Sequence, residues 1–106
     1  MTHNPSNHAR VAADATARLV RDVQSGRAAW THPHQVTTAA EDMARLCEHL
    51  ATALQQMTTA LGQTPRPPYG QRSDQANDQA IGALHQAGQS SALAARHLRR
   101  ARQTMH

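Results

Sequence analysis

Histidine, cysteine and arginine offer the most chemistry in this sequence, and their spacing decides how much of it is usable. There are eight histidines and one cysteine. His32-Pro33-His34 makes an H-x-H and Cys47-Glu48-His49 a C-x-H. A helix presents two metal ligands on one face only when they are three or four positions apart. Two positions apart they diverge by about 200°, so Cys47 and His49 do not form a chelating pair on a helix. His3, His8, His85, His97 and His106 have no ligand spacing, and no metal site is assigned. Collectively the histidines would make charge and association pH-dependent near neutrality. Cys47 lies on an apolar flank and reads as a small buried hydrophobe. There is no Ser/His/Asp set, carboxylate pair or glycine-rich phosphate loop, and the carboxylates sit on exposed salt-bridge faces. No catalytic residue and no cofactor are nominated; the expectation is a protein that is not an enzyme.

All eleven basic residues are arginine, and Arg96, Arg99, Arg100 and Arg102 cluster near the C-terminal end. These four equal the formal net charge of +4, leaving seven arginines to balance seven carboxylates. A basic cluster on a helix invites nucleic-acid phosphate. On a helical wheel, however, the four spread over almost half the circumference. Arg102 falls on the buried face, which predicts fraying there. The reading favoured for them is compensation of the helix dipole plus solubility, with nucleic-acid binding as the alternative. No helix-turn-helix pattern is present, because the connectors are too long and Pro-rich.

The element that must organise these residues is a second helix over Pro33–Leu61. Its apolar residues follow the i, i+3, i+4, i+7 rule for four heptads. Position a holds Val36, Met43, Leu50 and Met57, position d Ala39, Leu46, Ala53 and Ala60, and position e Ala40, Cys47, Leu54 and Leu61. A two-helix seam needs only a and d. The extra column must face a third helix, either from the same chain or from a neighbour. Val36, Met43, Cys47, Leu50, Leu54, Met57 and Leu61 are thus the candidate oligomer interface. Glu41–Arg45 is a well-oriented i, i+4 pair, and Gly62 is the expected stop.

Residues 1–8 read as a flexible tail and 9–106 as one helical domain, with helices over about 9–25, 33–61 and 74–102; the first has its start signal near Asn4-Pro5 or Asn7, where Asn can cap and Pro suits the first helical position. The first carries Ala12, Ala15, Leu19 and Val23 on one stripe and ends at Gly26. Trp30 lies in the connector that follows and is expected to close one end of a bundle. Pro65-Arg66-Pro67-Pro68 breaks the chain before the third helix and reads as a stiff spacer. In the third helix alanine recurs every seven residues at Ala80, Ala87, Ala94 and Ala101, with Leu84, Ser91 and Leu98 between. Small residues at every other layer predict a close antiparallel hairpin with the second helix. The expected fold is all-α: a long antiparallel hairpin plus an N-terminal helix, three-helix bundle-like.

Composition argues that this core is thin. There are 21 alanines, no phenylalanine, and only Trp30 and Tyr69 as aromatics. A small domain built this way is marginal alone, which predicts self-association. One cysteine permits no internal disulfide. The polar N-terminus lacks the apolar stretch of a secretory signal, no run reaches membrane-spanning length, and a cytoplasmic setting is expected. Arginine without lysine, with abundant alanine, is the bias of GC-rich genomes.

Trp30-Thr31-His32 lacks the glycine of the Trp-x-Gly type VII secretion substrates, whose size and hairpin are similar, and no Tyr-x-x-x-Asp/Glu follows. That family is kept as a further alternative. Over roughly the last 75 residues, His32-Pro33-x-x-Val36, the Leu/Ala helix with Gln55-Gln56 and the alanine-heptad helix resemble small actinobacterial proteins of unknown function. The resemblance implies a helical hairpin in a bacterial setting and no activity. The expected function is a regulatory or accessory protein–protein interaction module, partnered by a second copy or another helical protein.

Overall fold

A computed structural model describes residues 4–63 and 71–105; the Pro65-Arg66-Pro67-Pro68 spacer lies outside them. The elements are α1 (Ser6–Gln24), α2 (Pro33–Gln63) and α3 (Gln71–Thr104). The described residues form no strand. The chain divides after His32 into two compact units, the first holding α1 and the second α2 and α3.

In the first unit, α1 begins at Ser6, beside the Asn4-Pro5 start that the sequence offers and ahead of residue 9. The local cause is Asn4, whose Oδ1 accepts the Ser6 N–H at 3.1 Å. At the other end the Arg21, Asp22 and Val23 carbonyls accept from the Ser25, Ala28 and Gly26 N–H groups. Gly26 has φ of 80°, the left-handed stop expected of it. No α1 residue is buried. Trp30, expected to fill a bundle end, is 49% exposed.

In the second unit α2 and α3 form the antiparallel hairpin. Glu41 and Glu48 of α2 meet Arg102 and Arg99 near the end of α3. At the opposite end Asn77 Nδ2 donates to the Leu61 carbonyl at 3.4 Å. α2 starts at Pro33 as its sequence predicts but runs through Gly62 to Gln63. Gly62 stays in the right-handed region, and Asn77 satisfies a carbonyl that a glycine stop would otherwise have to cap. α3 is longer at both ends than expected, reaching Thr104. Fraying at Arg102 does not occur, because Glu41 meets its guanidinium across the hairpin.

The seam uses a different part of the apolar stripe from the one expected. The α2 residues turned toward α3 are the column Ala40, Cys47, Leu54 and Leu61 and the column beyond it, Thr37, Ala44, Ala51 and Thr58. Positions a and d, the expected seam, lie to one side of it, with Ala39 and Met43 half-buried and Val36, Leu46, Leu50 and Met57 exposed. On α3 the facing columns are Leu84, Ser91, Leu98 and Ile81, Gly88, Ala95, while Ala80, Ala87 and Ala101 are exposed. Close approach explains the rotation. A Cβ on Gly88 would stand 3.6 Å from the Ala51 carbonyl oxygen and 3.7 Å from Leu54 Cβ. At the Gly88 level glycine and alanine let the backbones come this near, while Leu54, Leu61, Leu84 and Leu98 fill the other layers of the same columns. Among the described residues only Ala40, Ala44 and Ala95 are buried. The hydroxyls of Thr58 and Ser91 bond back to the Leu54 and Ala87 carbonyls at 2.9 Å, so the seam accepts them without unsatisfied donors.

Those distances at Gly88 are ordinary van der Waals contact. Gly88→Ala is therefore expected to fit, and to stabilise the hairpin by about 0.5–1 kcal/mol through helix propensity. A lowered urea midpoint would show that the seam is tighter than this.

Candidate interaction surface

A two-helix hairpin has two broad faces, and here they differ in chemistry. On one, Thr52 and Gln55 of α2 and His85 and Gln89 of α3 border a shallow groove floored by Ala51, Gly88 and Ala92. Helical rotation puts Glu41, Glu48, Arg96 and Arg99 on this same polar side. The opposite face carries position a of α2 and the alanine column of α3. Leu50 is 45% exposed and Met57 52%, with Leu46 40% exposed at their edge. Val36 is exposed and Met43 half-buried. Ala80, Ala87 and Ala101 continue the apolar surface across α3, with Ala94 half-buried among them. No charged residue lies on this face between Val36 and Met57 or between Ala80 and Ala94.

The candidate interface residues therefore divide. Val36, Met43, Leu50 and Met57 line the open apolar face, whereas Cys47, Leu54 and Leu61 are half-buried against α3. Sequence reasoning missed Leu46 as an interface residue and placed the alanine heptad in the seam. The heptad spacing itself was the available signal, since a seven-residue repeat marks a contact line without saying which neighbour it contacts.

The arginine cluster divides as well. Arg99 forms an ion pair with Glu48 and lies 3.9 Å from Glu41. Arg102 Nε is 3.0 Å from Glu41 Oε2, an ionic contact without the alignment of a hydrogen bond. Arg96 and Arg100 are exposed. Two of the four charges thus lie against carboxylates, which reduces the field available to phosphate. The expected Glu41–Arg45 pair is replaced by Asp42–Arg45 on α2. Glu41 turns to α3 instead.

The hydrogen bond from Arg99 holds the Glu48 carboxyl below its ordinary value, against the opposing effect of lost hydration. Arg99 is raised by the same contact, well above any working pH. A depressed carboxyl stabilises the fold above its unfolded value and loses that contribution as pH falls through the folded one. Urea midpoints of the wild type should therefore fall on acidification below about pH 4.5, the ordinary value. Glu48→Gln should lower the neutral-pH midpoint and flatten part of that acid limb. An acid limb unchanged by the substitution would contradict the pairing.

Among the described residues no group of three or more His, Cys, Asp or Glu converges to hold a metal ion. Cys47 is a free, half-buried thiol in the seam. No helix among the described residues is long and apolar enough to cross a membrane. No family model, curated protein or solved structure matches the chain.

Proposed function

We propose that this chain is a non-enzymatic helical interaction module that works by self-association. One observation carries the reading: Leu50, Met57 and Leu46, three large side chains of the longest amphipathic stripe, stay about half exposed after α2 and α3 have paired. A surface stripe of heptad spacing is what a further helix packs against. Association would also add to the hairpin's stability: among the described residues only three alanines are buried, and covering more apolar surface supplements a core of that kind. A cytoplasmic setting suits the free Cys47 thiol.

Sedimentation equilibrium of the full chain across a hundredfold range of concentration tests the reading. Reversible association is the expected result, and a strict monomer throughout would overturn it. Nucleic-acid binding through Arg96, Arg99, Arg100 and Arg102 ranks lower, because Glu41 and Glu48 occupy two of the four. It would show as binding that weakens steeply with salt.

A further inference from the structure

We infer that two copies pack apolar face to apolar face about a two-fold axis parallel to the helices, so that α2 of each lies over α3 of the other. The inference rests on the self-association proposed above and adds its geometry. It starts from the register of the hairpin. Gly88 is level with the Ala51–Leu54 turn, and Asn77 is level with Leu61. Counting along the two antiparallel helices from these contacts, Leu50 stands level with the gap between Ala87 and Ala94. Met57 stands level with the gap between Ala80 and Ala87, and Met43 with the gap between Ala94 and Ala101.

A two-fold along the helix direction keeps these levels while moving each α2 over the partner's α3. Leu50, Met57 and Met43 then each meet a gap between two alanines of the other copy. That is the knob-and-hole relation of coiled-coil packing, and it is satisfied in both directions at once, as an isologous interface requires. All neighbouring helices of the resulting four-helix bundle run antiparallel. The other two-fold, lying across the helices, would stack α2 on α2 and α3 on α3. It sets Leu and Met against Leu and Met on one side and alanine against alanine on the other. Uniform spacing of 8–10 Å between axes is hard to reach that way.

The area is sufficient. With 31 residues in α2, the face is about 46 Å long and, for two helices, about 20 Å wide. That footprint is on the order of 900 Å², comparable with the roughly 800 Å² per partner of a stable complex.

Single-cysteine copies of the full chain in a Cys47→Ala background test the geometry, using a thiol cross-linker of about 8 Å reach, near the spacing of packed helices. A mixture of Leu50→Cys and Ala87→Cys copies is expected to give linked dimer, and Leu50→Cys alone almost none. Dimer linked through Leu50→Cys alone would overturn this arrangement while leaving self-association standing. A monomer under all conditions would overturn both. Ala87→Leu gives an independent measure. It fills a gap that the partner's side chain occupies, so self-association should weaken at least tenfold, with helicity unchanged because Ala87 lies outside the hairpin seam. Equal or tighter association, as a merely adhesive patch would give, would overturn the inference.

Discussion

Leu50→Glu is expected to convert the protein into a monomer without unfolding its helices. Leu50 is 45% exposed, so a glutamate there keeps its carboxylate in water in the isolated hairpin. Glutamate is also as good a helix former as leucine. Between two copies the same carboxylate would be buried on a face without a cationic partner, between Met43 and Met57. An unpaired buried charge costs several kcal/mol, and the leucine's own burial is lost as well. A penalty of about 3 kcal/mol weakens association more than a hundredfold. Sedimentation and far-ultraviolet circular dichroism on one sample check both halves of the expectation. Loss of helicity together with the dimer would mean that Leu50 supports the hairpin itself.

Ala44→Leu is expected to have the largest effect on folding. Ala44 is fully buried, with 0% exposure, in the seam column that faces α3. Three extra carbons there have no space unless the helices separate, and overpacking of this kind typically costs about 1–3 kcal/mol. Separation would pull apart the contacts around Ala40 and Ala95, the other two buried among the described residues. It would also lengthen the Glu48–Arg99 pairing. In a hairpin whose core is this small, that loss is a large share of the total. The urea midpoint should drop sharply. An unchanged or raised midpoint would show that the helices are not held by close contact at alanine.

The contrast between these two positions shows what could be read from residues in order. Helix class, the start at Pro33 and the stop at Gly26 were legible because each depends on a cap or break within a few positions. The seam was not. Three neighbouring columns of α2 are apolar, and the one that meets α3 is chosen by how closely Gly88 and Ala95 let the backbones approach, a property of the other helix. The same limit applies to charge. Glu41–Arg45 satisfied the local spacing rule, but hairpin register sets Glu41 near Arg102 and Glu48 near Arg99. The wheel did show Arg102 on the buried side of α3. A guanidinium there needs a carboxylate opposite, and that was the signal for a cross-helix pair. Half of the arginine candidates for phosphate binding are explained by it.

The alanine repeat at Ala80, Ala87, Ala94 and Ala101 changes role for the same reason. Its period marks a packing line, yet on the structure the line lies on the face shared with Leu50 and Met57. The width of the α2 stripe then has a physical use under the proposed self-association: one side pairs with α3 and the other would receive a second copy.

The most direct measurement of that claim is the solution mass of the full wild-type chain beside Leu50→Glu at equal concentration. The account predicts a mass approaching twice 11.5 kDa for the wild type and a single chain's mass for the variant, with equal helicity. A wild-type chain that sediments at 11.5 kDa at every concentration would contradict it.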